Sequence, residues 1–381
     1  MKKILFRKLL SDYLSFFFVA LISTGIVIWV FQAVNFLDIM IEDGRDYLVY
    51  INFSLLNFPK IISKIFPFIL FFSLFYVTNR YELSNELMIF WNFGVHKIQV
   101  INFFLKISVL LMIFQILFTS YIVPTTQDKA RSFLKTSKVN FFGNFVKPQK
   151  FNDTIKGFTI YADKKDKDGN LFNIYLKKEL DDQQFQITYA KKGEFKDLQN
   201  MPVLVLYDGA TITSKNNNEL TNISFSKSNY SLENFETNTT TYKKTQEISS
   251  INLIMCIKNF YKFEEEIFYS ETRGIINCNV QNMNNILKEF YKRFIIPFYI
   301  PILSVISFFL IIISKENLKY QKVKLATFLI GLSIIIFSEA TIRFISKDSF
   351  QNIILILIPI FLFIIFYLFL MMKIKYSKSA T

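Results

Sequence analysis

The chain has 381 residues, of which 52% are hydrophobic and 46 are phenylalanine. Such a composition is too apolar for a typical soluble domain of this size, and the sparse Gly and Pro argue against a fibrous or disordered chain. The formal net charge of +14 could suggest nucleic-acid binding, but most of the excess lies in short segments that flank apolar runs, so we predict no nucleic-acid partner.

Six apolar runs are each long enough to cross a membrane as a helix. The hydrocarbon core of a bilayer is about 30 Å thick, which takes about 20 helical residues. Three runs precede a long polar segment and three follow it, so the sequence predicts a polytopic α-helical membrane protein with a 3+3 arrangement. The predicted spans are residues 13–34, 55–77, 100–123, 294–313, 325–345 and 352–372.

Lysine and arginine are concentrated in every second connection between these runs. The N-terminus, the 78–99 loop, the 314–324 loop and the C-terminal tail are rich in them, whereas residues 35–57 and 346–350 are poor. Cationic flanks are retained in the cytoplasm during insertion, so both termini are predicted to be cytoplasmic and the polar segment to lie on the far side. The first run is too long for a cleavable signal peptide.

The polar segment is predicted to be an all-β domain. Apolar and polar residues alternate there in runs separated by turn residues, as is typical of half-buried strands. We expect turns at Asp166–Asn170 and at Asp208–Gly209, and short strands at this spacing favour an antiparallel sandwich or open barrel. The predicted strands are residues 157–162, 171–178, 184–190, 202–207 and 221–230.

The domain boundaries follow from these shifts in pattern. After the β domain the spacing of apolar residues becomes helical and leads back to the membrane. Cys256 and Cys278 both fall in this return segment, so a disulfide is possible, although one pair is no disulfide framework. The predicted parts are membrane residues 1–123, β domain 124–250, return segment 251–293 and membrane residues 294–381.

Motifs for catalysis are scarce. The ten glycines are spaced too widely for a G-x-x-x-x-G-K-S/T or a G-x-G-x-x-G loop. His96 is the only histidine, which excludes zinc sites built on paired histidines, and we expect it in a solvated loop. The carboxylate pairs Asp166/Asp168 and Asp181/Asp182 fall in turns, where acidic residues are common for backbone reasons. We therefore expect no catalytic residue, no metal and no cofactor.

A short amphipathic helix is predicted between the second and third spans. Ser84 can cap it, Glu86 lies in its first turn and Gly94 ends it. Apolar residues recur at helical spacing along one side, namely Leu87, Phe90 and Trp91. One interpretation is an interfacial helix with aromatic anchors. The other is a coupling helix that inserts into a cytoplasmic partner, with Glu86 offering its charge to a basic residue there.

This segment resembles an element of the LptF/LptG permease subunits of the lipopolysaccharide-export ABC transporter. Members carry S-E-L-x-x-L-x-x-x-G after the second span, and here the element runs from Ser84 to Gly94 with one extra residue before Glu86. The resemblance covers nearly the whole chain. Its further elements are Phe58-Pro59, Phe66-Pro67, Val123-Pro124, Tyr207–Gly209 and Glu289–Pro297.

The resemblance implies a permease subunit of the inner membrane of a Gram-negative bacterium. It would pair with a sister permease subunit and bind a cytoplasmic ATPase dimer through the short helix. The outer domain, a jellyroll in this family, would dock periplasmic bridge proteins. ATP hydrolysis in the partner would drive lipopolysaccharide out of the membrane. The first span and the loop after it favour LptF over LptG.

Five ionisable residues are candidates for contact with the substrate. Glu339 and Arg343 lie one helical turn apart in the fifth span, where ionisable groups are expensive and face protein or water, although Arg343 can also reach the interface. Arg45, Lys60 and Lys64 lie at the outer edge of spans one and two. They could pair with lipid A phosphates or only with phospholipid headgroups.

Two other classes of protein fit part of this pattern. A membrane-anchored enzyme that modifies envelope glycolipids would need a nucleophile or metal set in residues 125–290, where we find none. A periplasmic scaffold that binds envelope partners would not need the short helix with Glu86. Co-purification with an ATPase would separate both from a transporter.

Overall fold

The computed structural model contains two compact units, which are described separately. One unit comprises Met1–Val30, Asn57–Asp128 and Lys243–Thr381, and the other comprises Phe31–Leu56 and Lys129–Tyr242. The structure describes residues 2–37, 47–136, 146–155, 158–166, 169–181, 184–198, 201–214, 220–231, 243–262, 275 and 277–379.

In the described part of the chain, six helices are long and apolar enough to cross a membrane. Three precede a β-sheet in the sequence and three follow it, which confirms the predicted fold class of a polytopic helical protein with an inserted β domain. We number them as spans 1 to 6. Their bounds are Lys2–Asn35, Tyr47–Leu83, Lys97–Leu134, Met283–Ile311, Tyr320–Phe344 and Ser349–Lys375.

Several spans are interrupted helices. Span 3 runs as Lys97–Leu117, changes to a π-helical turn over Phe118–Ile122 and continues as Val123–Thr136. Span 6 belongs to a helix that extends over Ser349–Ser379. Spans 4 and 5 each contain short 3₁₀ segments. Their successive parts are Met283–Phe294, Ile296–Phe298, Tyr299–Ser307 and Phe308–Ile311 in span 4, and Tyr320–Thr341 and Ile342–Phe344 in span 5.

Span 4 is the central helix of its unit. Within its most apolar stretch 83% of the residues are buried, against 17% in spans 1 and 6, so the outer spans present most of their apolar side chains outward. Aromatic rings join span 3 to its neighbours, because Phe104 packs against Tyr13 of span 1 at 5.6 Å and against Phe308 of span 4 at 5.2 Å between ring centroids. A bilayer is the solvent that such outward apolar surfaces require.

Four prolines each remove one backbone hydrogen bond, and in each case a side chain from another element lies close enough to replace it. A proline has no N–H, so the carbonyl four residues before it loses its helical partner. Each such carbonyl lies within hydrogen-bond distance of a side chain from a different part of the chain. The donors and acceptors are Gln115 and Ser63 (before Pro67), Ser250 and Ser120 (before Pro124), Thr119 and Arg293 (before Pro297), and Tyr291 and Leu355 (before Pro359).

The β domain is one antiparallel sheet whose strands follow one another in sequence order, β1 to β6. Its buried face carries Ile160, Ile174, Leu176 and Leu204, which are almost fully enclosed. The strand bounds are Asn152–Ile155, Phe158–Lys165, Leu171–Asp181, Gln184–Leu198, Met201–Ser214 and Leu220–Ser231.

Two details of the sheet differ from the sequence-based expectations. All strands that the structure describes belong to this one sheet, so no second described sheet completes a sandwich. Asp208–Gly209 does not end a strand, since β5 continues through it with Asp208 at a φ of 49°. A Cβ on Gly209 would lie 2.2 Å from the carbonyl oxygen of Tyr189, so close strand approach requires glycine here. At the expected turn Asp166–Asn170 the Asp166 N–H donates to Asn170 O at 3.0 Å, and residues 167–168 lie outside the described residues.

The return segment contains a helix, Ser250–Lys262, that is covalently tied to the start of span 4. Cys256 and Cys278 form a disulfide with their Cα atoms 6.0 Å apart. Both cysteines are buried in a cluster with Leu253 and Met283. The bridge closes a loop of 22 residues, so it fixes this helix next to the first turn of span 4.

Candidate functional site

An open cavity of about 370 Å³ lies among spans 2, 3, 4 and 5. Residues 243–250, which we name the strap, contribute Gln246 to its wall. Six charged side chains line the cavity, and cations outnumber carboxylates. They are Lys60, Lys64, Glu289, Lys292, Arg293 and Glu339.

Helix interruptions make room for this cavity. Pro67 of span 2 and Pro297 of span 4 both line it, and span 3 passes it through the π-helical turn Phe118–Ile122. Prolines and π-turns make the helix backbone irregular and leave some of its polar groups without helical hydrogen bonds. Such segments occur in membranes only where protein or water covers them. Gln115 replaces the helical hydrogen bond that is missing at Pro67, because its side chain donates to Ser63 O at 2.8 Å. Gln115 also lines the cavity.

Lys60 and Lys64 lie one turn apart on the face of span 2 that borders the cavity. The Lys60 ammonium is half-buried and donates to the Gln246 side-chain oxygen at 2.8 Å. Lys64 is exposed. The two lysines therefore present one partly shielded and one open cation to whatever enters the cavity.

Arg293 is the most deeply buried cation of the site, with 2% of its surface exposed. Its Nε donates to the Glu289 carboxylate at 3.0 Å, so its charge is balanced within one helical turn. Its other nitrogens donate to the strap, to Gln246 O at 3.0 Å, to Ile248 O at 2.8 Å and to Ser250 Oγ at 2.9 Å. Four of its five N–H donors are thus bonded to protein groups, so this guanidinium is mainly a structural part of the site.

The predicted short helix forms over Glu86–Asn92 between spans 2 and 3. Its cap differs from the expectation, because Asn85 occupies the N-cap position at a φ of 61° and Ser84 does not bond to the helix N–H groups. The Ser84 hydroxyl lies 2.8 Å from the Glu86 carboxylate and 2.9 Å from Arg80 O, to either of which it can donate. Gly94 ends the segment at a φ of 70°, a conformation that favours glycine.

The short helix has one buried and one exposed side. Leu87 and Phe90 are buried in the core shared by spans 1, 2 and 3, and Trp91 packs against that core. The exposed side is also apolar, and Glu86 is half-buried at its start. Its large exposed side chains are Met88 at 49%, Ile89 at 45% and Phe93 at 48%.

Polar contacts fasten this helix to other elements at the same end of the spans. Lys2 of span 1 donates to Gly94 O at 2.9 Å. The Glu82 carboxylate accepts from the Lys315 N–H at 3.0 Å, and the Lys315 ammonium donates to Leu83 O at 2.9 Å. The end of the short helix is thus bonded to span 1, and the end of span 2 just before it is bonded to the connection between spans 4 and 5.

The structure brings together three of the five ionisable candidates. Lys60, Lys64 and Glu339 line the same cavity. Arg343 is exposed in the 3₁₀ turn that ends span 5 and does not line the cavity. Glu339 and Arg343 form no ion pair in the part of the chain that the structure describes. Arg45 lies outside the described residues.

Sequence reasoning missed the residues that the fold brings to the cavity from elsewhere. Gln246 and Arg293 reach Lys60 and the strap across long distances in sequence, which no local pattern encodes. A weak signal existed for Gln115, a lone polar residue in an apolar run, since such residues in a span often bond across helices. Among the described residues, no group of three His, Cys, Asp or Glu side chains could hold a metal ion.

A family model and a relative of similar length both match most of this chain. The family model described as lipopolysaccharide export system permease LptF/LptG matches residues 7–373. An uncharacterized protein of Rickettsia prowazekii (strain Madrid E) is 23% identical over 354 residues, which covers 91% of this chain and 90% of that protein.

Proposed function

Because the chain belongs to the lipopolysaccharide export permease family LptF/LptG, we propose that it is the subunit that takes lipopolysaccharide out of the inner membrane and passes it to a periplasmic bridge. The family match and the six apolar helices make it a multi-pass inner-membrane permease. Its energy would come from ATP hydrolysis in a partner subunit. The match does not separate LptF from LptG, and we propose LptF on the basis of span 1 and the loop after it.

The cation-lined cavity is the observation that carries the substrate proposal. Lipid A presents phosphates at the height where the outer ends of the spans meet water. Lys60 and Lys64 border the cavity from one helix, and charge-assisted hydrogen bonds to phosphate are strong at reduced dielectric. The bond from the Lys60 ammonium to the Gln246 side chain holds this cation at the cavity wall, which supports a site over a membrane anchor.

The exposed side of the short helix is the proposed contact with the ATPase. Its apolar residues Met88, Ile89 and Phe93 resemble the anchors of a helix that inserts into a groove of a partner. Glu86 stands beside them and is held by Ser84. The buried side is fixed in the core, so movement of the helix would move spans 1 and 2 with it.

The remaining partners follow from the family and from the distribution of charge. Both termini and the short helix are proposed to be cytoplasmic, and the sheet to be periplasmic, where it would dock the bridge proteins. The outward apolar surfaces of spans 1 and 6 offer room for a sister permease subunit. Co-purification with an ATPase distinguishes this transporter from a scaffold or a glycolipid-modifying enzyme.

Photo-crosslinking tests the substrate proposal with the lysines left in place. A crosslinking residue at Phe68, which lines the cavity, should capture lipopolysaccharide in the complex loaded without ATP, whereas one at Leu110, which faces outward from span 3, should capture far less. Lys60→Gln and Lys64→Gln should each lower the Phe68 adduct several-fold. Lys106→Gln, an exposed span lysine away from the cavity, is the matched control. Equal adducts in all variants would show that the lysines are membrane anchors.

A further inference from the structure

The strap, residues 243–250, borders the cavity and bonds to both span 2 and span 4. On the span 4 side its backbone is held firmly, because Arg293 donates to both Gln246 O and Ile248 O. At its ends, Asn277 donates to Lys243 O and Ser250 donates to Ser120 O of span 3. Three strap carbonyls and the Ser250 hydroxyl are thus bonded to groups outside the strap, so the strap backbone is fixed.

The contact of the strap with span 2 is of a different kind. Gln246 is the strap residue that lines the cavity, and its side-chain oxygen accepts from the Lys60 ammonium at 2.8 Å. A glutamine side chain has three rotatable bonds, so it can leave the lysine while the backbone stays in place. The amide is also neutral, which makes it a weaker acceptor for an ammonium than an anionic oxygen.

We propose that Gln246 is a specificity-determining residue, which occupies Lys60 in the substrate-free chain and gives way to a phosphate monoester dianion but poorly to a phosphodiester headgroup. This inference rests on the proposed function, since it takes the lysine cavity as the place where lipid phosphate binds. A monoester phosphate carries nearly two charges at neutral pH, whereas the diester of an ordinary phospholipid carries one. The Gln246 amide therefore competes with a bound phosphate for Lys60. The more highly charged lipid A phosphates can displace the amide, whereas the abundant membrane phospholipids cannot.

The architecture around Gln246 supports this role over a purely structural one. Arg293 bonds to the Gln246 backbone, so the strap does not need the side-chain contact to stay in place. Glu289, the carboxylate nearest to this arginine, is engaged by its Nε. Lys60 therefore has a neutral hydrogen-bond acceptor at a position where a carboxylate would bind the ammonium more strongly.

The test compares lipid preference in the intact complex in lipid nanodiscs. A crosslinking residue at Phe68 reports capture of diphosphoryl lipid A against a phosphatidylglycerol probe. Gln246→Ala should raise the phosphatidylglycerol adduct by about tenfold or more, the effect of one lost hydrogen bond from a charged donor, and so reduce the preference for lipid A. Gln246→Glu should lower the lipid A adduct instead, because a carboxylate competes with phosphate for Lys60. Lys106→Gln, the exposed span lysine away from the cavity, is the control and should leave both adducts unchanged.

A higher phosphatidylglycerol adduct in Gln246→Ala cannot arise from misfolding, because misfolding would lower the capture of both lipids. Adducts equal to wild type in both Gln246 variants, while Lys60→Gln still lowers the lipid A adduct, would overturn the role of Gln246 and leave the lysine cavity intact. If Lys60→Gln also had no effect, the proposed function of the cavity would fail with it.

Discussion

Gln115 of span 3 donates its side-chain N–H to Ser63 O of span 2 at 2.8 Å, and Ser63 O is the carbonyl that Pro67 leaves without a helical partner. The glutamine is 3% exposed. From span 3 it therefore supplies the hydrogen bond that Pro67 removes from span 2. This contact lies beside the cavity that the irregular helix helps to open. The contact joins the fold to the site, since the same irregularity costs a helical hydrogen bond and creates space for a ligand.

The first prediction concerns this repair. Gln115→Leu should lower the free energy of unfolding by about 1–3 kcal/mol, because the partly buried Ser63 carbonyl loses this cross-helix donor. Pro67→Ala restores an N–H four residues after Ser63, so the cost of Gln115→Leu should be smaller in a Pro67→Ala background. Thermal unfolding of the four proteins in detergent measures the cycle. A cost that is the same in both backgrounds would show that the glutamine acts through packing alone.

The second prediction concerns the contact between span 5 and span 2. A Cβ on Gly331 would lie 2.0 Å from Cζ of Phe71, a ring that is fully buried. Gly331→Ala should therefore lower stability by about 1–3 kcal/mol through overpacking, despite the better helix propensity of alanine. Gly25→Ala is the control, because its Cβ would meet only the mobile end of Ile62. Unfolding temperatures that fall equally in both variants would contradict the role of Phe71.

The sequence predicted the spans better than the cavity, for physical reasons. Span 1 and span 6 are set by the length of an apolar run, a local property that a bilayer reads directly. The bond from Lys60 to Gln246 joins residues 186 positions apart, and it exists because Arg293 fixes the strap. No periodicity encodes such a meeting, although Pro67 and the lone Gln115 in an apolar run marked two of its walls. The sequence could not decide whether Cys256 and Cys278 pair for a related reason. The distance between two cysteines is unknown until the helix of residues 250–262 is placed.

The third prediction concerns pH and the β domain. A hydrogen bond from Lys196, followed by one from Tyr207, lowers the pKa of Glu194 below its ordinary value. A carboxyl whose folded pKa is depressed adds stability above its unfolded pKa, and this stability is lost as the pH falls through the folded value. Wild type should therefore be more stable than Glu194→Gln at pH 7, and the difference should shrink below about pH 4. Melting temperatures from pH 7 to pH 3 measure it, and a constant difference would contradict the pairing.

The fourth prediction concerns the orientation of the chain. Cysteines placed singly at Asn92 and at Ser226 in a chain without Cys256 and Cys278 lie at exposed positions on the short helix and on β6. In cells with a permeabilised outer membrane, an impermeant thiol reagent should label position 226 and not position 92, because cationic loops stay in the cytoplasm. Labelling of both after full lysis is the control. The reverse pattern would place the short helix in the periplasm and exclude its role in binding an ATPase.

The last prediction concerns the short helix as the contact with the ATPase. Glu86 is already half-buried, and its carboxylate lies within hydrogen-bond distance of the Ser84 hydroxyl. A basic group of the partner would therefore meet this carboxylate at a partly desolvated site. Only such a setting allows a single pair to contribute more than about 1 kcal/mol, since exposed pairs contribute less. Glu86→Ala and Ile89→Ser should therefore reduce ATPase co-purification about fivefold or more, or leave hydrolysis uncoupled from transport, while the permease still inserts. Asn92→Ala, a polar exposed change on the same helix, should have no effect. Normal co-purification and transport in both test variants would mean that the exposed apolar side rests on the membrane interface, and that the ATPase binds elsewhere.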